Sequence, residues 1–157
     1  MTPRQILSDP IMLLAFGFGS GLSKYAPGTM GTLAAVPLYL LSIKTGSAVF
    51  LGITLFICVL GVWICSVAAK RLGVHDFSGI VWDEVAGYFV TMSFVSFSWP
   101  AVCLGFVLFR FFDIVKPWPI RWLDRYISGG MGIMLDDIVA GVVAGGILFG
   151  MEHWAML

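Results

Sequence analysis

Three long intervals without a charged residue constrain this chain more than any other feature. They cover residues 25–43, 45–69 and 85–109. A helix needs about 20 apolar residues to cross a bilayer, so the second interval spans easily and the first is just long enough. The chain is also 59% hydrophobic and only 11% charged, against roughly 25% charged residues in soluble domains. We therefore predict a single integral membrane domain over residues 1–157, all-α in class.

The third interval decides the topology, because Trp99-Pro100 near its middle could be a kink in one helix or a turn between two. Two crossings need about 40 residues, which is more than residues 85–109 provide. The two helices must therefore include apolar residues beyond Glu84 and Arg110. The two-helix version predicts helices near 79–97 and 100–118, followed by a last helix near 130–151. Together with the first two intervals, these helices make a polytopic bundle of about five transmembrane helices.

The basic residues favour the turn over the kink. In the two-helix version, all but one lie on one side of the membrane, and Lys44 is alone on the other side. By the positive-inside rule, the basic side is cytoplasmic. The Gly-rich run over 10–22 is short for a crossing, and we predict that it forms a retained re-entrant or interfacial segment. The residues of the basic side are Arg4, Lys24, Lys70, Arg71, Arg110, Lys116, Arg121 and Arg125.

Most acidic residues lie in short clusters that border or interrupt the apolar runs. Seven of the nine acids fall between residues 76 and 137. Charged groups in a membrane are costly unless they pair, bind a cation or face water, so they indicate function by default. For any single acid, pairing with an arginine at a helix end is an equally good explanation. As a set, the acids favour a functional site whose members are Asp83, Glu84, Asp113, Asp136 and Asp137.

Small residues follow two of these acidic clusters by one helical turn. Gly87 follows Asp83, and Gly141 follows Asp137. Glycine at this spacing lets helices approach closely, which could bring carboxylates from three helices within reach of one hard cation. Mg²⁺ prefers oxygen ligands, retains waters and is often completed by a substrate phosphate. The pattern therefore predicts a magnesium site.

Two segments have the parts for holding an anion. Residues 17–24 are glycine-rich and end in Lys24, and Gly28 and Thr29 follow at the start of a predicted helix, where backbone N–H groups are exposed. Residues 116–121 add a cationic loop stiffened by two prolines. Glycine-rich helix packing explains the first segment at least as well, and a membrane anchor explains the second almost as well.

The remaining features mainly exclude functions. A net charge of zero offers no field for gathering nucleic acid, and the three cysteines lack zinc-type spacing. His75 beside Asp76 is a candidate acid/base group, although a lone loop histidine is usually solvated. A small membrane cation transporter is the alternative function, because intramembrane carboxylates also suit ion conduction.

These motifs closely resemble the phosphatidylglycerophosphatase A family of bacterial membrane lipid phosphatases, nearly from end to end. The segments that carry the resemblance are 17–21, 25–31, 81–84, 109–121 and 129–141. The resemblance implies Mg²⁺-dependent removal of the terminal phosphate of phosphatidylglycerophosphate, which gives phosphatidylglycerol and inorganic phosphate in the bacterial cytoplasmic membrane. The expected partners are this lipid substrate and membrane lipids, whereas the oligomeric state is open.

The resemblance and the charges together suggest roles for individual residues. The five acids would hold one or two Mg²⁺ ions, and a metal-activated water would attack the phosphate in line. Asp83, Glu84 and Asp137 are the predicted catalytic residues, and one acid, Glu84 or Asp137, could take a proton from the water instead of holding the metal. The predicted phosphate-binding residues are Lys24, Gly28, Thr29, Arg110, Lys116 and Arg121.

Overall fold

In a computed structural model of the protein, which describes residues 1–74 and 77–154, every regular element is a helix. The predicted all-α class is therefore confirmed. His75 and Asp76, the candidate acid/base pair, lie outside the described residues. The helices are α1 (Pro3–Ser8), α2 (Pro10–Ala15), α3 (Pro27–Ser42), α4 (Ser47–Leu72), α5 (Trp82–Met92), α6 (Trp99–Val115), α7 (Ile120–Tyr126) and α8 (Gly129–His153), with 3₁₀ segments at Gly17–Leu22 and Ile43–Thr45.

The chain turns between α5 and α6, as the two-helix version of the topology predicts. Ser98 is the N-cap of α6, since its side chain accepts a hydrogen bond from the Ala101 N–H at 3.1 Å. Pro100 lies in the first turn of α6, where its missing N–H leaves no helix hydrogen bond unmade. The start of α5 and the end of α6 consequently meet at one end of the bundle.

Helix α5 is shorter than the predicted helix over 79–97, and both ends have a structural reason. Before α5, the Val81 N–H donates to the carbonyl of Ala15 at 2.8 Å, so the N-terminal segment holds these residues outside a helical turn. After α5, the Ser96 N–H donates to the carboxylate of Glu152 at 3.1 Å. The chain is thus fixed at both ends of α5 by contacts with distant residues.

Helix α6 also ends before the predicted boundary at residue 118. Lys116 adopts a left-handed conformation with φ 44°, and its N–H donates to the Phe112 carbonyl to close the last turn. Pro117 follows directly and cannot donate a helix hydrogen bond. The chain therefore leaves α6 at Lys116 and turns into the short helix α7.

Within residues 1–74 and 77–154, two helices are long and apolar enough to cross a membrane, α4 with 26 residues and α8 with 25 residues. The other predicted crossings, α3, α5 and α6, contain 16, 11 and 17 residues, against about 20 for a full crossing. The total of about five transmembrane helices therefore stays a prediction. Helix α4 exposes large apolar side chains, which is typical of a surface that faces lipid: Leu55, Phe56, Val59 and Trp63.

The close approach of glycine positions is confirmed where α5 packs on α8. A Cβ atom on Gly141 would collide with the backbone carbonyl of Gly87, and one on Gly87 would lie 2.9 Å from the carbonyl oxygen of Asp137. No larger side chain fits at this crossing. Because Asp83 and Asp137 each precede one of these glycines by one turn, the crossing brings their carboxylates towards each other.

The N-terminal segment folds as short helices, of which α2 packs against α4, while the 3₁₀ segment at Gly17–Leu22 packs against α3. Helices α1 and α2 have six residues each, a rise of about 9 Å, so neither crosses a bilayer alone. Asp9 starts α2 by accepting hydrogen bonds from the Ile11 and Met12 N–H groups at 3.0 and 3.1 Å. Arg71, at the end of α4, donates to the same carboxylate at 2.5 Å. The segment is thereby tied to the end of α4.

Candidate active site

The five predicted acids line one cavity of about 300 Å³ at the end of the bundle where α5 begins and α6 ends. Asp83 and Glu84 lie in the first turn of α5, and Asp113 lies in the last turn of α6. Asp136 and Asp137 lie near the start of α8 and are almost fully buried. The prediction that acidic clusters far apart in the sequence lie close together in space is therefore confirmed.

The acids form two groups that share one residue. Ligand atoms of Asp83, Glu84 and Asp137 lie within 4.8 Å of one another, and the same holds for Asp113, Asp136 and Asp137. Asp137 belongs to both groups. It sits at the centre of the cluster because α8 packs against both α5 and α6.

Several oxygens of this cluster lack a hydrogen-bond partner within the described residues. Buried carboxylate oxygens without a partner are costly in a medium of low dielectric constant, unless a cation or water satisfies them. A set of converging carboxylate oxygens is also the donor chemistry that Mg²⁺ prefers. The residues therefore fit a hard divalent cation. The unpartnered oxygens are Oδ1 of Asp83, Oε2 of Glu84, Oδ1 of Asp136 and Oδ2 of Asp137.

Arg110 supplies positive charge on the α6 side of the cavity. Its Nη1 donates a short hydrogen bond to Oδ2 of Asp113, one turn further along the helix, and lies 3.7 Å from Oε1 of Glu84. The Nε atom of Arg110 is buried and without a partner in the described part of the chain. A guanidinium with an unused donor beside acidic residues is suited to contact a further oxygen-rich group.

Lys116 supplies the second positive charge and connects α7 to α8. Its Nζ donates to Oδ2 of Asp136 at 2.6 Å and to Oδ1 of Asp124 at 2.7 Å. Burial lowers the pKa of Lys116, but the hydrogen bonds to these two carboxylates outweigh it and raise the pKa above its usual value. Lys116 therefore remains charged across the physiological range.

Sequence reasoning missed Asp124, which also lines the cavity. Asp124 is eight residues beyond Lys116 and lies on a different helix. The turn through Pro117 and Pro119 brings the two residues together, and no helical or strand periodicity signals such a pair. The one available signal was that Asp124 is an acid within the cationic stretch between Lys116 and Arg125.

Gly28 brings the start of α3 to the cavity. It is buried, and a Cβ atom at this position would collide with Oε1 of Glu84 and lie 3.0 Å from Nη2 of Arg110. Only glycine therefore lets the backbone approach these two side chains. Helix α3 begins at Pro27, so its first backbone N–H groups lie at this wall of the cavity.

Three predicted phosphate-binding residues are not among those that line the cavity. Lys24 is exposed in the loop before α3, and Thr29 is partly buried one residue beyond Gly28. Arg121 lies instead in a separate surface depression beside Trp118. Of the predicted phosphate-binding residues, the cavity gathers Gly28, Arg110 and Lys116.

Residues 13–152 of the chain match the family model described as Phosphatidylglycerophosphatase A. The chain is 52% identical to Phosphatidylglycerophosphatase A of Escherichia coli (strain K12), over 96% of this chain and 88% of that protein. It is 43% identical to the Haemophilus influenzae protein of the same name, over 96% of this chain and 93% of that protein. A Bacteroides thetaiotaomicron protein provisionally named phosphatidylinositol-3-phosphatase is 36% identical, over 92% of this chain and 94% of that protein. No solved structure matches the chain.

Proposed function

The chain belongs to the phosphatidylglycerophosphatase A family, and we propose that it hydrolyses the terminal phosphate of phosphatidylglycerophosphate to give phosphatidylglycerol and inorganic phosphate. The observation that carries this proposal is the cavity in which carboxylates from three helices meet Arg110, Lys116 and the backbone of Gly28. Such a site combines groups that bind a cation with groups that bind an anion, as the metal-assisted removal of a phosphate requires.

We infer that Mg²⁺ is the cofactor and that the acids of the cavity hold it. The inference is supported by the unpartnered oxygens and by the two carboxylate groups that share Asp137. When bound, Mg²⁺ neutralises the charge of the phosphate and lowers the pKa of a bound water. Because Asp137 belongs to both groups, the acids could hold one ion or two. The proposed ligands are Asp83, Glu84, Asp113, Asp136 and Asp137.

The other residues of the cavity bind and orient the phosphate in this proposal. Arg110 and Lys116 offset its negative charge, and the backbone N–H groups at Gly28 donate to its oxygens. Glu84 or Asp137 accepts the proton of the attacking water. Because both cations already pair with acids, they hold those acids in position before the substrate arrives.

We propose that the protein is a multi-pass protein of the bacterial inner membrane, with about five crossings and the active site on the cytoplasmic side. The distribution of basic residues supports this orientation, since Arg110, Lys116 and Arg121 lie at the end of the bundle that holds the cavity. The alternative function, a cation transporter, gains no support. The five clustered acids all lie at the cavity end of the bundle and do not line a path to the opposite end.

Removal of divalent cations tests the magnesium proposal. Treatment with EDTA is expected to reduce phosphate release from phosphatidylglycerophosphate in mixed micelles by about 100-fold or more, because the clustered carboxylates would then repel the phosphate. Adding Mg²⁺ in excess of EDTA should restore the rate, and EDTA already saturated with Mg²⁺ serves as the control. A chelated, metal-free protein that keeps more than half of its activity would refute the proposal.

Arg110→Gln is expected to lower kcat/KM for the lipid by about 100-fold. The change removes a charge that offsets the phosphate and leaves the carboxylates of Glu84 and Asp113 without their cation. Arg71→Gln is the matched control, since it removes an exposed arginine that pairs with Asp9 outside the cavity. Steady-state phosphate release should separate the two variants; equal losses in both would show that Arg110 has no special role.

A further inference from the structure

Helix α7 has two faces with different chemistry. Ile120 is fully buried, and Asp124, together with Ile127 just after the helix, lines the catalytic cavity. The opposite face begins at Trp118, just before the helix, and continues at spacings of three and four residues. It is composed of Trp118, Arg121, Trp122, Arg125 and Tyr126, which line a surface depression of about 390 Å³.

The aromatic residues of this outer face are unusually exposed. Trp118 is 84% exposed and Tyr126 is 73% exposed. The rings of Trp122 and Tyr126 pack against each other with centroids 5.5 Å apart. Large aromatic side chains with a polar edge are enriched at the level of the lipid headgroups. This face therefore has the composition of a surface in contact with the membrane interface.

The arginines of the outer face have no counter-ion in the described residues. Neither Arg121 nor Arg125 forms an ion pair there, and the depression that they line contains no acidic residue. The two arginines are four residues apart on one helix, a spacing at which like charges repel. An anion bound between them would remove this repulsion.

The apolar surface of α6 continues directly into this depression. Phe111 and Ile114 are exposed on α6, and Val115 and Pro117 line the depression. An acyl chain lying along α6 would place its headgroup at the level of α7. We propose that the outer face of α7 binds the headgroup of an anionic phospholipid from the surrounding bilayer, at a site separate from the catalytic cavity.

A lipid bound at this site would also stabilise the catalytic cavity. It would hold α7, whose inner face carries Asp124, and Asp124 pairs with Lys116 beside Asp136. The lipid-binding inference does not depend on the proposed phosphatase activity. Binding and catalysis can therefore be measured separately.

The test uses phosphatidylserine as the probe, because it is anionic and carries no terminal phosphate. The purified protein is placed in phosphatidylcholine bilayers that contain a minor fraction of phosphatidylserine, and retained lipids are counted by native mass spectrometry. Wild-type protein is expected to retain phosphatidylserine above its bulk fraction. The double variant Arg121→Gln/Arg125→Gln should lose this retention by about 10-fold or more, since it removes both cations of the depression and a hydrogen bond to a charged group contributes a factor of about ten.

Two further double variants distinguish a built site from general charge attraction. Arg4→Gln/Lys70→Gln removes two exposed basic residues that do not line the depression, so retention should stay within about twofold of wild type. Arg121→Lys/Arg125→Lys keeps both charges and should retain more lipid than the glutamine variant, which excludes misfolding as the cause of the loss. Equal losses in both glutamine pairs, or no enrichment by wild type, would overturn the inference. Normal retention in a protein that releases no phosphate would overturn the proposed function alone.

Discussion

Asp137→Asn is expected to reduce phosphate release from phosphatidylglycerophosphate by about 1,000-fold or more. Asp137 is almost fully buried and belongs to both carboxylate groups of the cavity. Asparagine has nearly the same shape but no charge, so it would weaken cation binding in both groups and could not act as a base. Loss of the residue that both carboxylate groups share should lower kcat strongly while the protein stays folded.

The measurement is Mg²⁺-dependent phosphate release by purified protein, with Mg²⁺ varied over a wide range. Asp9→Asn is the matched control, because Asp9 lies outside the cavity and asparagine can still start α2. That control is expected to keep activity within about twofold of wild type. Near-normal release by Asp137→Asn at ordinary Mg²⁺ concentrations would remove this residue from the proposed centre.

The sequence predicted the location of the acidic cluster because two strong physical constraints act on it. The length of the apolar intervals limits how often the chain can cross, and the cost of a lone intramembrane charge requires the acids to meet. The turn before Trp99 satisfies both, since it places Glu84 and Asp113 at the same end of the bundle. The crossing of Gly87 and Gly141 was likewise predictable, because only glycine permits that backbone distance.

The limits of α5 and α6 could not be predicted from the same signals. Apolar composition continues past both ends of α5, but hydrogen bonds to Ala15 and Glu152 decide where the helix begins and ends. These partners are 66 and 56 residues away along the chain from Val81 and Ser96. Contacts over such separations depend on the tertiary fold and leave no periodic pattern in the sequence.

The division of the cationic stretch between two surfaces also needed the structure. Lys116 and Arg121 are both basic residues near the same two prolines, and charge alone gives them one role. The left-handed turn at Lys116 directs its side chain towards Asp136, whereas Arg121 follows on the outer face of α7. The tight turn sets how the short helix α7 is rotated about its own axis, and this rotation decides which of its residues face the cavity. Amino-acid composition does not encode it.

Gly141→Leu is expected to separate α5 from α8 and to lower activity by about 100-fold or more. The new side chain would collide with the backbone carbonyl of Gly87 and would crowd Val90, whose Cβ lies 3.2 Å from the added Cβ position. Backbone cannot move aside as a flexible side chain can, so the helices must part. The ligand atoms of Asp83 and Asp137, now within 4.8 Å, would then lose their common position, and a shift of about 1 Å can cost a factor of about 100 in rate.

Gly146→Leu is the matched control, because it makes the same substitution on the same helix where the added Cβ would meet no atom within 4 Å. Thermal unfolding, monitored by size-exclusion chromatography, should show a lower midpoint temperature for Gly141→Leu and little change for Gly146→Leu. Phosphate release should follow the same order, with a weaker response to added Mg²⁺ in the Gly141 variant. If Gly141→Leu keeps more than half of the wild-type activity, the close approach of α5 and α8 is not what assembles the carboxylates, and the geometry proposed for catalysis fails with it.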